Sequence, residues 1–474
     1  MEELEIVIGL EIHVELNTAS KMFCACKNDP SCDTPNTNVC PVCMGCVGAL
    51  PLLNKIALDK TVLLAHTVGS KISKKTRWDR KSYFYPDLPK GYQISQADLP
   101  VGVGGDIRFP YDDTMSTVKM NRVHLEEDAA KSIHRDGKTL VDFNRSGVPL
   151  VEMVTEPDLR SPEQAKALFK EVHRLVRDLG ISSADMEKGQ MRCDASISLR
   201  KKGESKLYPR VEIKNINSFR AVESALKFQR DKLKTKWIRG EYPSRAITVL
   251  WDSNEMATRP MRSKEDAADY RYFPEADIPE VVFSDADIKS ITSKKSELRI
   301  ERLETFIDEG VAIDKILPIM DDSDSFRRFC CIYDDLHDEK ARGTALTLWT
   351  SGVTMLLKRS RDLPFEDDEF IRLVDKVVSG SVPVSTAKDI IRSCEASGDL
   401  DTVVSELKDI LSGSTLEGVV GDVLAEHVSI VEEYLGGKEK VIKALVGLVM
   451  KETKGAFEGS EVNRVLTEEL QKKL

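Results

Sequence analysis

The run "LEIVIGLEIHVEL", residues 4–16, alternates without a break and constrains the fold more than any other stretch of the chain. Leu4, Ile6, Ile8, Leu10, Ile12, Val14 and Leu16 fall on one face of a strand, and Glu5, Val7, Gly9, Glu11, His13 and Glu15 fall on the other, because successive strand side chains point to opposite sides. Such a strand needs a sheet with one face against a core. Its second face carries an imidazole between two carboxylates, at steps of about 7 Å. Taken alone that face reads as solvated surface, and Gly9 leaves the backbone open to close approach.

A chain of 474 residues holds several domains and can bury large cores. Residues 1–292 are rich in strand patterns and turns and predict a large, mainly antiparallel-sheet cradle domain. Within it, "SPEQAKALFKEVHRLVRDLG" predicts a helix capped by Ser161, opened by Pro162, with Gln164 at the capping-box position and Gly180 at its end. A second helix starts near Ser218. From residue 293 the pattern turns helical, with turns expected at Gly343, Pro364 and "SGSVPVS". A break at "SGSTLEG" separates a helical domain, 293–411, from a small helical tail domain, 412–474. The fold class is α+β.

No signal-peptide pattern precedes residue 4, and the most apolar window, "VIKALVGLVM", is too short for a bilayer and contains Lys443. The chain therefore reads as cytoplasmic, with no membrane partner. A net charge of −10 excludes a uniformly basic nucleic-acid binder but leaves room for a local basic face.

Six of the ten cysteines crowd between Cys24 and Cys46, a distribution that favours a metal over disulfides in a cytosolic chain. Cys24-x-Cys26 and Cys40-x-x-Cys43 predict a tetrahedral, structural zinc site. Cys32 and Cys46 leave the choice of four open.

Further acids sit on short alternating segments: His124 and Glu126 share one face of "MNRVHLEED" with Glu127 on the other, and Glu152, Glu156, Asp194 and Glu212 follow on later segments. Clustered carboxylates repel unless a hard cation such as Mg²⁺ lies among them. Arg80, Lys81 and Tyr83, with Phe84 and Tyr85, offer phosphate donors and ring surface for a base; Lys214, Asn217, Arg262, Lys264 and "DYRYF" extend that set. Each segment alone reads as a surface salt-bridge cluster; together they equally suit a nucleotide–metal site, and the chain has no GxxxxGK[ST] loop to build an ATP site from.

The motifs "IGLEIHVEL", "SKMFC", "CPVC", "DRKSYFYPDLPKGYQISQ", "HLEEDAAKSIH", "LVDFNRSGVPLVEMVTEPDLRSPEQA", "RCDASISLR", "VEIKNINSFR" and "MRSKEDAADYRYFPEADIP" closely resemble, in order, those of the B subunits of tRNA-dependent amidotransferases, the GatB family. The resemblance runs from Ile6 to the C-terminus. It implies an enzyme that phosphorylates the side-chain carboxylate of misacylated Asp-tRNA(Asn) or Glu-tRNA(Gln) with ATP and Mg²⁺, then amidates it. Ammonia would come from a glutaminase A subunit, and a small C subunit would brace the pair. By resemblance Glu11, His13 and Glu127 hold Mg²⁺ and act catalytically, followed by Asp194 and Glu212. Glu126 and Glu152 rank behind them, and Glu15 is a surface acid.

In the tail, "GGKEKVIKALVGLVMKETKG" pairs a buried stripe with a lysine face of Lys440, Lys443, Lys451 and Lys454. Such a face suits an RNA backbone, and the resemblance implies that it recognises tRNA. The competing expectation is a non-catalytic, zinc-containing tRNA-binding scaffold. An ATP-dependent ligase of small carboxylates is a third reading.

Overall fold

The computed structural model describes residues 3–30, 32–261, 270–359, 363–397, 400, 416–436, 438, 441–452, 457 and 459–472. The chain divides into two compact units, Met1–Glu304 and Thr305–Leu474.

The first unit is built on one ten-stranded sheet. In chain order its strands are β1 (Leu4–Glu15), β2 (Lys71–Ile72), β3 (Gly102–Val103), β4 (Asp106–Tyr111), β5 (Thr114–Glu127), β6 (Pro149–Thr155), β7 (Met191–Lys201), β8 (Val211–Ile216), β9 (Ile247–Asp252) and β10 (Ala257–Pro260). Across the sheet the order is β10-β9-β8-β7-β1-β6-β5-β3-β2, with β4 paired to β5. Among the described residues only β8 and β9 pair in parallel. The expected long first strand therefore lies at the sheet's centre, between β6 and β7. Ile8, Leu10, Ile12 and Val14 are fully buried, and so is Val7 on the other face.

Helices α1 (Lys55–Thr67) and α2 (Pro162–Asp178) pack against the sheet, and α3 (Phe219–Ile238) lies beside α2 and β7. Ser161 Oγ accepts the Gln164 N–H at 3.0 Å, as the sequence pattern requires. The Gln164 side chain reaches back one residue farther than a capping box would, to the Arg160 N–H at 2.8 Å. Ala165, Leu168, Val172, Leu175 and Val176 are the buried stripe of α2. Gly180, at a φ of +62°, ends the segment in the left-handed region that glycine tolerates. Ser218 caps α3 by accepting the Ala221 N–H at 3.1 Å. Gly9 meets Pro157 and Thr155, so the close neighbour of that bare backbone is the chain itself.

The second unit is helical. An aromatic core of Phe306, Phe326, Phe329, Trp349 and Phe370 holds its first part. Gly343, expected at a turn, lies inside the helix Glu339–Leu348 instead; a single glycine costs an otherwise well-packed helix only about 1 kcal/mol. The last four helices among the described residues, Leu416–Glu426, Val428–Leu435, Ile442–Glu452 and Gly459–Gln471, share a separate cluster around Val420, Leu445, Val449, Val462 and Leu466. No helix among the described residues is long and apolar enough to cross a membrane.

Candidate active site and thiol cluster

The polar face of β1 meets acids from its neighbours through strand register alone. His13 lies opposite Glu152 on β6, and Glu152 lies opposite His124 on β5. Directly opposed residues share a sheet face, so the three side chains form one row. Glu152 Oε2 stands 3.3 Å from both His13 Nε2 and His124 Nε2, and Glu126 Oε2 is 3.6 Å from His124 Nε2. On the other flank Glu11 is opposite Asp194 on β7. Glu212 of β8 completes that group, with Lys214 Nζ 2.9 Å from Asp194 and 2.8 Å from Glu212. Ligand atoms of His13, Glu126 and Glu152 all lie within 4.8 Å of one another, and so do those of Glu11, Asp194 and Glu212.

This face is electrostatically stressed. Burial raises the Glu11 carboxyl above its ordinary range, and the neighbouring charges of Glu152, Glu212 and Asp194 push the same way. Burial opposes a charge on His124, yet Glu152 and Glu126 outweigh it and hold its pKa up at about 9. His13 is raised in the same manner against its own burial, chiefly by Glu152. Glu152 itself, although buried, is held well below the carboxylate range by His124 and His13. His13 Nδ1 is buried with no hydrogen-bond partner among the described residues. An orphaned ring nitrogen beside two groups of carboxylates fits a site that takes a cation.

Glu127 does not join this set. It follows Glu126 by one residue, so the strand's two-residue period turns it to the opposite face. There its carboxylate takes Lys90 Nζ at 2.6 Å and the Ile94 N–H at 3.0 Å. The expected trio of Glu11, His13 and Glu127 is therefore not brought together; the acids grouped with His13 are Glu126 and Glu152, which the resemblance ranks lower. Glu15 also departs from expectation. It is 6% exposed, and burial together with Asp128 pushes its carboxyl up to about 8. Asp128 in turn is gripped by Arg192 through two 2.8 Å bonds.

Residues expected to bind nucleotide are not brought together at one place. Lys81 overlooks the acid face: burial works against its charge, but Glu126 and the surrounding tyrosines and Glu152 raise its pKa. Its ammonium also lies 4.9 Å from the Tyr270 ring centroid, and Tyr83 packs edge-on against Tyr270 at 5.9 Å. Lys214 joins the Glu11 group. Arg80 is committed elsewhere, with Nε and Nη2 each 2.7 Å from a Glu275 oxygen. Asn217 is exposed just before the Ser218 cap. Arg262 and Lys264 lie outside the described residues. Sequence reasoning missed Ser95, whose hydroxyl donates to Glu126 at 2.8 Å, and Arg122, whose Nε stands 3.3 Å from His124 Nδ1. Arg122 lies two residues from His124, so strand parity pointed to it.

The thiols come together on irregular chain. Sulfurs of Cys24, Cys26, Cys40 and Cys43 lie within 4.8 Å of one another. Cys40 and Cys43 Sγ are 3.8 Å apart, which is about the sulfur separation that a tetrahedral ion with 2.3 Å bonds requires. The Cys40 N–H donates to Cys43 Sγ at 3.1 Å. Lys21 is fully buried beside them, its Nζ 2.9 Å from Asn38 O and 3.9 Å from Cys43 Sγ. The Cys24 thiol, the Cys40 N–H and Lys21 together hold the Cys43 thiol down at about 5. Cys32 sits against Thr34 and Thr37, and Cys46 is exposed, so neither belongs to the four. These four thiols can hold a metal ion.

In the tail, Lys443 is exposed on its helix, Lys451 lies in the last turn of the same helix, and Lys440 and Lys454 fall outside the described residues.

Comparison with known proteins agrees along the whole chain. Residues 6–289 match the GatB/GatE catalytic domain and residues 337–470 the GatB domain. The B subunit of the aspartyl/glutamyl-tRNA(Asn/Gln) amidotransferase of Campylobacter curvus (strain 525.92) is 38% identical over 98% of this chain and 99% of its own length. The protein of the same name from Helicobacter hepaticus (strain ATCC 51449 / 3B1) is 38% identical over 99% of this chain and 100% of its own. With its two halves matched in order and its acid face built from the strands of the first match, the chain belongs to the GatB family, the B subunits of tRNA-dependent amidotransferases.

Proposed function

We propose that this chain is the subunit of an Asp/Glu-tRNA(Asn/Gln) amidotransferase that activates the side-chain carboxylate of misacylated Asp-tRNA(Asn), Glu-tRNA(Gln) or both with ATP, and then amidates it. The observation that carries the reading is the convergence of His13, Glu126 and Glu152 with Glu11, Asp194 and Glu212 on one sheet face. The names of the relatives supply the substrate class.

Two anions have to meet on this face, the substrate carboxylate and the γ-phosphoryl group of ATP, and their repulsion is the barrier to overcome. The two acid groups would hold Mg²⁺, which supplies the charge that neutralises them. Lys81 brings a fixed cation to the same face, and the Tyr83 and Tyr270 rings form an apolar wall suited to a base. Phosphoryl transfer breaks the bond to ADP and makes an acyl phosphate; ammonia then attacks the carbonyl carbon and inorganic phosphate leaves. Ammonia would arrive from a glutaminase A subunit, with a small C subunit in the assembly. The Cys24, Cys26, Cys40 and Cys43 group would hold structural zinc, its four thiolates leaving no coordination position for water.

A scaffold without chemistry is the poorer reading, because carboxylates crowded into two groups, with Glu126 and Glu152 buried, cost folding energy that a passive surface has no use for. The test is ATP cleavage by the chain assembled with its partner subunits, with free ammonia and one charged tRNA at a time. ADP formation stimulated by Asp-tRNA(Asn) or Glu-tRNA(Gln), and not by uncharged tRNA, is the expected result. Tight tRNA binding without stimulated cleavage would return the scaffold.

A further inference from the structure

One end of the first unit carries a group of cations that outnumber the acids around them, Glu204, Asp231 and Glu241; Lys234 helps to lower the Asp231 carboxyl without pairing with it. The loop between β7 and β8 presents Lys206 and Arg210, and the last turns of α3 with the residue after it present Lys232, Lys234, Lys236 and Arg239. None of the six makes an ion pair among the described residues. Their neighbours do: Arg200 with Glu5, Lys202 with Glu3, Lys227 with Glu223 and Arg230 with Asp231. In a chain of net charge −10, six such cations within two neighbouring segments make a local basic face.

The two segments are one surface, because aromatic rings tie them together. Tyr208 of the loop packs edge-on against Trp237 of α3 at 5.0 Å, and both meet Tyr242, at 6.0 and 5.1 Å. The Tyr242 hydroxyl accepts the Leu199 N–H at 2.9 Å and donates to Pro209 O at 3.2 Å, which fixes the loop to the strand end. Lys206 stands 4.9 Å over the Tyr208 ring. Leu207 and Ile238, 58% and 75% exposed, lie within the same patch. Cations around partly exposed rings are the composition of a nucleic-acid surface, the charges meeting phosphates and the rings meeting sugar or base.

The place of the patch fits the same substrate. Arg210 is two residues from Glu212 of the acid face, about 7 Å along the strand. An RNA whose aminoacylated 3′ end reached Glu11, Asp194 and Glu212 would have this end of the sheet within reach of its adjoining stem. We propose that the β7–β8 loop and the C-terminal turns of α3 form a second RNA-backbone surface, which holds the stem next to the aminoacylated end. This rests on the reading of an RNA-linked substrate given above. An acidic protein partner is the competing occupant; the partly exposed rings and the nearness of the site favour RNA.

The experiment uses the full chain assembled with its partner subunits and uncharged tRNA(Asn) or tRNA(Gln) as the probe. Affinity is measured between about 50 and 200 mM salt for the wild type and for the combined substitution K206E, K234E and R239E, all exposed positions whose change leaves the core intact. Expected is a loss of affinity of about tenfold or more, with a salt slope shallower by about 2, since each lost phosphate contact removes about 0.7–0.9 of slope. At saturating charged tRNA the variant should keep the wild-type rate of ADP formation, with only the half-saturating tRNA concentration raised. Unchanged affinity and slope would overturn the surface, and so would weakened assembly with partner subunits at unchanged tRNA affinity. A wild type that binds tRNA but shows no stimulated ADP formation would instead count against the functional reading, while the binding comparison still decides the surface.

Discussion

The acid face and the thiol cluster are both groups of side chains that could hold a metal ion, in the same unit, and they are built in opposite ways. Each acid stands on a strand of the central sheet, so backbone ladders fix Glu11, His13, Glu152 and Asp194 before any cation arrives. Each thiol stands on turns outside the regular elements, tied by a few local bonds such as Lys21 N–H to Cys26 O at 2.9 Å and Met44 N–H to Cys40 O at 3.0 Å. A ligand group on strands keeps its geometry and tolerates charge stress, as a reacting site must. A ligand group on loops depends on its ion for shape, as a structural site does.

That contrast predicts different consequences for removing one ligand. E152Q keeps the shape and hydrogen bonding of the residue between the two histidines but removes its charge. ADP formation should fall by about 10²–10³-fold, with the melting temperature little changed. A change in melting temperature without loss of rate would reverse the assignment of roles. C40S should do the opposite: a fall of about 5–10 °C in melting temperature, reproduced in the wild type by a strong chelator and absent in C46S, which alters an exposed thiol.

The acid face should also betray itself in pH dependence when Mg²⁺ is withheld. His124 binds its proton more tightly in the folded state than in the unfolded chain, its pKa lying at about 9. Its contribution is complete below the unfolded value of about 6.5 and disappears as the pH rises through 9. Glu152, depressed when folded, contributes above its unfolded value of about 4.3 and loses that contribution as the pH falls. Melting temperature should therefore decline between about pH 6.5 and 9.5 in the wild type and less steeply in H124Q. Equal slopes would mean that the histidine is not the group responsible. The smallest expected effect is at Lys21. Four thiolates around a divalent ion leave net negative charge, which the buried ammonium partly offsets. K21M should lower metal affinity about tenfold in a chelator competition, with the fold retained.

Much of the first unit was legible in the sequence because period and capping are local. The unbroken alternation of residues 4–16 identifies the central strand, and Ser161, Pro162 and Gly180 bound α2. The thiol spacing finds the four sulfurs, although only the fold sets Cys32 and Cys46 aside. The acid site was legible in composition and not in arrangement. The motif resemblance favours Glu127 over Glu126, although parity places Glu126 with His124, and parity is what the sheet obeys. The importance of Glu152 rests on two neighbours from other strands, His13 and His124, and cross-strand register leaves no trace within one strand. Arg80 illustrates a further limit: a basic residue in a promising motif carries no mark of the Glu275 that occupies it, 195 positions away.

The most direct test is to trap the activated carboxyl group. The assembled enzyme, given ATP, Mg²⁺ and Asp-tRNA(Asn) or Glu-tRNA(Gln) with hydroxylamine in place of ammonia, should form the side-chain hydroxamate and release ADP and phosphate in equal amounts. The same mixture with E152Q should form neither. Hydroxamate produced by E152Q at the wild-type rate, or none produced by the wild type, would contradict phosphoryl transfer on the acid face.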